Sequence, residues 1–127
     1  MTAREFRFVY FTPQYEATVA FLRDALEFPM VTSWDRAGDH RGTVFAAGSG
    51  QVEVLENADL RRGPSNTASG GPFIAIEVED VESLHARMTS KGVALHYPLE
   101  TKPWGHCGFS VLDPNGVEFA FYSRLAG

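Results

Sequence analysis

The side chains that could carry chemistry in this sequence are a few histidines, one cysteine and several glutamates. His96 and His106 bracket two predicted strands, and with Glu118 or Cys107 they would offer a mixed set of metal ligands. The sequence has no helical or zinc-finger spacing of such ligands, so a metal site here is a secondary hypothesis.

Nucleophilic catalysis by Cys107 would need a neighbouring base and an electropositive pocket. His106 is adjacent in sequence and, on a strand, points to the opposite face. His85 is predicted on the surface of a helix and His40 in a polar loop. Cys107 is therefore predicted to be an inert strand residue, and a single cysteine fits a reducing compartment.

Glutamates and aromatic residues near the end of the chain suggest a binding site. Glu77 and Glu118, if they face one cavity, could act as acid and base or could anchor a cationic ligand. They could equally lie at a solvated rim. Trp104 and Tyr97 could stack on a planar ligand or pack under a loop. Both pairs of alternatives stay open.

Composition limits the class of protein. A chain of 127 residues, 44% hydrophobic and 21% charged, is typical of one folded globular domain. The net charge is −5 and no basic cluster occurs, so we expect no nucleic-acid partner. No apolar run is long enough for a signal peptide or a membrane span, so we expect a cytoplasmic protein that does not bind membranes.

The segment 102–122 predicts two antiparallel strands joined by a tight turn. At the turn, 113–116, Asp can bond nearby backbone N–H groups, Pro presets φ, and Asn-Gly tolerates positive φ. The return strand alternates cleanly. One face carries Val117, Phe119 and Phe121, and the other carries Glu118, Ala120 and Tyr122.

The first half of the chain predicts one strand, one helix and three more strands. A strand over 6–11 is followed by Thr12-Pro13, which suit the N-cap and first position of an amphipathic helix. The later strands are predicted at Met30–Asp35, Thr43–Ala47 and Gln51–Glu56.

The second half repeats this order after a segment, 58–71, whose Gly, Ser, Asn and Pro content predicts a linker. Asp80 is predicted to cap a helix that Gly92 ends. The flanking strands are predicted at Phe73–Glu79, Val93–Tyr97, Cys107–Leu112 and Val117–Ser123. The chain is thus predicted to be one domain of two β-α-β-β-β modules, about 4–57 and 72–125.

We expect an α+β fold in which a curved, cup-shaped mixed β-sheet carries its helices outside. The predicted helix-side residues are Phe6, Phe8, Val52, Val54, Ile74, Ile76, Phe119 and Phe121. The predicted cup-side residues are Arg7, Val9, Phe11, Glu53, Leu55, Phe73, Ala75, Glu77, Glu118, Ala120 and Tyr122. The concave space is the expected ligand site.

The order of elements, the segment FLRDALEF at 21–28 and the ending PWGHCGFSVLDPNG at 103–116 resemble the glyoxalase, bleomycin-resistance and extradiol-dioxygenase superfamily, also called vicinal oxygen chelate proteins. The resemblance implies one divalent metal held by four side chains, two from each module. By position these would be Arg7, Glu53, Phe73 and Ala120. Only Glu53 has a suitable donor atom, so we expect no metal and propose an Arg7–Glu53 ion pair instead.

Members that lack the metal ligands resemble drug-sequestering proteins, which bind a planar, often cationic antibiotic at a dimer interface. We therefore expect this chain to form a homodimer in which the cup is completed between chains or by exchange of modules. The sequence is therefore interpreted as a metal-independent small-molecule binding protein of bleomycin-resistance type, without a cofactor. The predicted ligand-binding residues are Arg7, Phe11, Glu53, Phe73, Glu77, Trp104, Glu118 and Tyr122. One alternative is a metal-dependent lyase, isomerase or dioxygenase with an atypical site. Another is a regulatory or assembly domain whose cup is filled by its own side chains, such as Phe11 and Phe73.

Overall fold

The structure is a computed structural model, and it describes residues 1–36, 41–56 and 71–125. The chain divides into two compact units, Met1–Ser65 and Asn66–Gly127. Within the described ranges, each unit contains one sheet of four strands and one helical segment in the predicted β-α-β-β-β order. The predicted linker, apart from Gly71, and His40 lie outside these ranges. No helix in them is long and apolar enough to cross a membrane.

The first unit is built on strands β1 (Arg7–Thr12), β2 (Met30–Asp35), β3 (Arg41–Ala47) and β4 (Gly50–Glu56). Their order in the sheet is β1-β4-β3-β2, with β1 parallel to β4 and the other pairs antiparallel. Helix α1 (Tyr15–Ala20) follows β1 and continues into a π-helical segment, Phe21–Ala25. The predicted strand over 30–35 is confirmed, and the other boundaries shift by one or two residues.

The start of α1 differs from the prediction because Thr12 holds a turn before the helix. The Gln14 N–H donates to Thr12 Oγ1 at 2.9 Å, and that buried hydroxyl also lies 3.2 Å from Thr18 Oγ1. The helix therefore begins at Tyr15, two residues after Pro13. A threonine hydroxyl just before a helix can accept from a nearby backbone N–H in a turn, or it can cap the helix itself. Here it forms the turn.

Arg41, at the start of β3, links α1 to the end of β4. Its guanidinium donates to both carboxylate oxygens of Glu56, at 3.2 and 2.6 Å, and to Glu16 of α1 at 2.9 Å. The same group lies 4.7 Å from the centre of the Tyr15 ring. Hydrogen bonds from Arg41, and then its charge, lower the pKa of Glu56.

This pairing predicts an acid-dependent contribution to stability. A carboxylate with a lowered pKa stabilises the folded state above its ordinary pKa, and the contribution is lost as the pH falls through the lowered pKa. Glu56→Gln should therefore lower the thermal midpoint at neutral pH, and the difference from the unmodified protein should vanish on acidification. Thermal melts followed by circular dichroism across this range measure it. A difference independent of pH would contradict the prediction.

The second unit is built on strands β5 (Ile74–Glu77), β6 (Leu95–Thr101), β7 (His106–Leu112) and β8 (Glu118–Arg124). Their order is β5-β8-β7-β6, with β5 parallel to β8, and the β6–β7 pairing contains two register shifts. The topology is that of the first unit. The predicted α+β fold of two β-α-β-β-β modules is thus confirmed.

Helix α2 (Val81–Ser90) begins and ends at the predicted residues. Asp80 caps it by accepting a hydrogen bond from the Ser83 N–H at 3.1 Å. Gly92 has φ of 80°, and the Val93 N–H returns to Met88 O at 3.1 Å. This is the left-handed C-terminal motif that favours glycine.

The turn between β7 and β8 also follows the prediction. Asp113 Oδ1 accepts from the backbone N–H groups of Asn115 and Val117, both at 2.8 Å. The Gly116 N–H donates to Asp113 O at 3.0 Å, and Gly116 has φ of 88°. Because Asp113 is itself buried, the turn is anchored in the protein and fixes the register of β8 on β7.

Most of the predicted helix-side residues are in the core. Val52, Val54, Ile76, Phe119 and Phe121 are buried. Phe8 and Ile74 are half-buried. Phe6 was predicted wrongly, since it is 71% exposed: it precedes β1, which begins at Arg7, and the strand pattern does not extend to it.

Candidate functional site

The face of the second sheet opposite α2 is built by alternation along β5, β7 and β8. Ala120 pairs with Ala75 on one side and Ser110 on the other, so these three side chains share this face. The other face lies against α2, where the Phe109 ring contacts His85 at a centroid distance of 5.2 Å.

A cavity of about 640 Å³ lies over this open face. Every residue that lines it belongs to the second unit. The lining consists of Gly71, Phe73, Ala75, Tyr97, Pro98, Glu100, Lys102, Trp104, His106, Gly108, Phe109, Ser110, Glu118, Ala120, Phe121 and Tyr122. Its volume is within the range of about 300–1,000 Å³ that is usual for small-molecule sites.

The floor of the cavity is made of small residues. Ala75, Ala120 and Ser110 succeed one another across the sheet, and Gly108 lies two residues from Ser110 along β7. None of these side chains extends far above the backbone. A Cβ atom at Gly108 would lie 2.6 Å from the carbonyl oxygen of Phe121, so a larger residue would force the strands to shift. The floor is therefore flat and close to the sheet.

Aromatic side chains stand around this floor and are largely exposed. Phe73 is 56% exposed, Tyr97 57% and Trp104 68%. Tyr122 is stacked on His106, with ring centroids 4.5 Å apart and an angle of 17° between the planes. Exposed aromatic surface concentrated at one cavity is typical of an interaction site. Because Phe73 is exposed, it does not fill the cavity, which argues against a self-filled cup in this unit.

Two buried polar side chains also line the cavity. Glu118 is 8% exposed and Ser110 is 2% exposed. At the rim, Lys102 forms an ion pair with Glu100. Apart from His106 and this ion pair at the rim, the cavity thus presents a carboxylate and a hydroxyl within an apolar and aromatic lining.

In the first unit, the predicted ion pair between Arg7 and Glu53 is present. Arg7 Nη1 donates to Glu53 Oε1 at 2.7 Å, and the guanidinium also pairs with Glu5. Hydrogen bonds from Glu5 and then Glu53 raise the pKa of Arg7 above its ordinary value. The Glu53 carboxylate is therefore engaged by a permanent cation.

The side chains at the four positions that the resemblance assigns to metal ligands do not fit a divalent metal. Arg7 is a cation, Glu53 is paired with it, and Phe73 and Ala120 have no donor atoms. Across the described ranges, no three His, Cys, Asp or Glu side chains form a group that could hold a metal ion.

The secondary hypothesis of a metal site at His96 and His106 is contradicted by the strand register. Leu95 pairs with Val111 and Tyr97 with Ser110, whereas the Lys102 N–H bonds to His106 O. The two histidines are therefore about four residues apart along β7, roughly 13 Å at 3.3 Å per residue. Cys107 is buried on the α2 side of the sheet.

The structure brings together four of the eight predicted ligand-binding residues, namely Phe73, Trp104, Glu118 and Tyr122. Glu77 lies outside the cavity lining and is paired with Arg124, whose Nε is 3.2 Å from Glu77 Oε2. Arg7, Phe11 and Glu53 belong to the first unit, where Phe11 pairs with Leu55. Sequence reasoning missed Gly108 and Ser110, although alternation along β7 places them on the face of Ala120.

Solved structures with a similar fold cover nearly the whole chain. TioX from Micromonospora sp. ML1 is 22% identical with a TM-score of 0.74, covering 97% of this chain and 100% of TioX. TnmS3, an antibiotic binding protein from Streptomyces sp. CB03234, is 17% identical with a TM-score of 0.73, covering 97% of each chain. Lactoylglutathione lyase from Agrobacterium tumefaciens is 16% identical with a TM-score of 0.69, covering 96% of this chain and 94% of the lyase. At these identities the likeness defines the fold.

The family follows from the sequence itself. Residues 6–121 match the model of the Glyoxalase/Bleomycin resistance protein/Dioxygenase superfamily. The chain belongs to this superfamily, as the resemblance in its motifs predicted. A comparison with curated protein sequences found no match.

Proposed function

We propose that this protein binds a planar, cationic small molecule in the cavity of its second unit and does so without a metal ion. The observation that carries the proposal is the combination in one cavity of exposed aromatic side chains, a buried carboxylate and a flat floor of small residues. The predicted homodimer and cytoplasmic location remain predictions.

A planar ligand is favoured by the shape of the lining. Small residues at Ala75, Gly108 and Ala120 leave a flat surface on which an aromatic body can lie. The exposed rings of Trp104 and Phe73 offer aromatic contact to such a body. Aromatic contacts of this kind combine a large apolar area with a preferred geometry.

A positive charge on the ligand is favoured by Glu118. The carboxylate of this residue lines the cavity while the residue is almost fully buried. In a partly desolvated site, the attraction between a carboxylate and a cation is stronger than in water. The acidic net charge of the whole chain acts in the same direction.

Binding without a metal is supported by the side chains at the superfamily's ligand positions, where the Arg7–Glu53 ion pair occupies two of the four. The similar fold of TnmS3, which is described as an antibiotic binding protein, is consistent with a binding role. Among the described residues, no three His, Cys, Asp or Glu side chains form a group that could hold the metal of the enzymatic alternative.

The proposal is tested with three probes that share one planar body and differ in charge. These are 2-(aminomethyl)fluorene, 2-fluorenylmethanol and fluorene-2-carboxylate, each titrated into the protein by isothermal calorimetry. We expect the amine to bind most tightly and the carboxylate most weakly. Glu118→Gln should lower the affinity for the amine about tenfold and leave that for the alcohol unchanged.

Two controls separate charge recognition from other effects. Glu79→Gln removes a carboxylate that lies outside the cavity lining of the same unit, and it should not change the affinity for any probe. Titrations after treatment with a chelator should give the same affinities. If the amine binds no better than the carboxylate, or if binding needs an added metal, the proposed function is wrong.

A further inference from the structure

Ser110 is the most buried polar residue in the lining of the cavity. It is 2% exposed, and its Oγ atom has no hydrogen-bond partner among the described residues. Its direct neighbour on β8 is Ala120, whose methyl group offers no polar atom. Such a buried, unsatisfied hydroxyl is unusual in a folded protein and points to a partner that the described residues do not supply.

The hydroxyl lies where a bound molecule would contact it. Ser110 shares the open face of the sheet with Ala120 and Ala75, and all three line the cavity. A planar body resting on this floor would lie over Ser110, whose hydroxyl has no partner among the described residues. A buried hydroxyl whose proton has no acceptor costs free energy, so a ligand that supplies an acceptor atom would gain this hydrogen bond.

We propose that Ser110 is a specificity-determining residue that donates a hydrogen bond to an acceptor atom within the planar body of the ligand, such as a ring carbonyl oxygen. This inference rests on the proposed function, and it adds a hydrogen-bond acceptor to the cationic group already proposed for the ligand. Sites that hydrogen-bond a buried polar group discriminate strongly against analogues that lack the matching atom.

The strand register also sets the spacing of the two polar contacts. Ser110 is opposite Ala120, and Glu118 is two residues along the same strand, so Ser110 and Glu118 are diagonal neighbours. Diagonal pairs across antiparallel strands are about 7–8 Å apart. The cationic group and the acceptor are therefore expected at two separate positions on the body of the ligand.

The experiment compares two probes that differ only in one acceptor. Calorimetric titrations are made with 2-(aminomethyl)fluorene and with 2-(aminomethyl)fluoren-9-one, which adds a single ring carbonyl. We expect the unmodified protein to bind the fluorenone several-fold more tightly. Ser110→Ala should lower the affinity for the fluorenone about threefold to tenfold and leave that for the fluorene unchanged.

A matched serine provides the control for folding. Ser123, on β8 of the same unit, accepts from the Val81 N–H at 2.9 Å and donates to Val78 O at 2.7 Å. Ser123→Ala should therefore lower the thermal midpoint. Ser110→Ala removes a hydroxyl with no partner, so we expect its thermal midpoint to be unchanged or raised.

The outcomes distinguish this inference from the proposed function. If both probes bind with equal affinity and Ser110→Ala changes neither, the inference is overturned while the proposed function stands. If neither probe binds, the proposed function fails and the inference fails with it. A lowered thermal midpoint for Ser110→Ala would show that the hydroxyl is satisfied within the protein, and this result would also overturn the inference.

Discussion

Replacing Asp113 with alanine should lower the free energy of unfolding by about 2–4 kcal/mol, because one buried carboxylate holds the turn between β7 and β8 together. Its Oδ1 accepts from two backbone N–H groups at 2.8 Å, and its Oδ2 accepts from Asn115 Nδ2 at 3.0 Å. The substitution would leave those donors without their acceptor in a place where Asp113 is only 5% exposed. Urea denaturation measures the loss.

Asp113→Asn is the matched control for this prediction. The amide keeps a side-chain oxygen that can accept from the N–H groups of Asn115 and Val117, although it loses the negative charge. We expect a smaller loss, about 1 kcal/mol. If alanine and asparagine destabilise the protein equally, charge and not turn geometry is the property that matters at this position.

Replacing Ala120 with tryptophan should abolish binding of 2-(aminomethyl)fluorene, with an affinity at least about a hundredfold lower. Ala120 is at the centre of the cavity floor, between Ala75 and Ser110, so an indole there would occupy the volume of the planar ligand. The position faces a cavity, and it is half-buried on the open face of the sheet. The fold should therefore accommodate the larger side chain with little change in thermal midpoint.

Ala86→Trp makes the same substitution on the exposed surface of α2, outside the cavity lining. This variant should bind the probe as the unmodified protein does. If Ala120→Trp retains full affinity while its thermal midpoint is also unchanged, the cavity over the second sheet is not the binding site.

The fold was largely predictable because the residues that begin or end its helices and form its turns have strong local preferences. Asp113 holds a turn, Asp80 caps a helix and Gly92 ends one. Each of these roles was predicted from the residue type and a few neighbours in sequence. Alternation along β8 also placed Phe119 and Phe121 in the core. Thr12 can either cap a helix or hold a turn before it, and because it holds the turn, α1 begins two residues later than predicted.

The site was predictable only in part, because its character depends on contacts between residues distant in sequence. The missing partner of Ser110 follows from the register of β7 on β8, which places an alanine opposite it. The pairing of Glu77 with Arg124 likewise depends on the meeting of two strands. By contrast, the Arg7–Glu53 pair was predicted from the resemblance, and the register of β1 on β4 makes these two residues diagonal neighbours.

The parallel pairing of the first strand of each unit with its last strand has a consequence for synthesis on the ribosome. Among the described strands, β1 lies at the edge of its sheet and pairs with β4 alone, with Arg7 opposite Gln51. The hydrogen bonds between β1 and β4 can therefore form only after β4 has been synthesised. By contrast, β2, β3 and β4 can pair in chain order as they leave the ribosome. All strand pairs of the first unit lie within residues 7–56, so its sheet can close before β5 is translated. A nascent chain stalled in β3 would expose β1 as an unpaired edge, which is a ready template for aggregation.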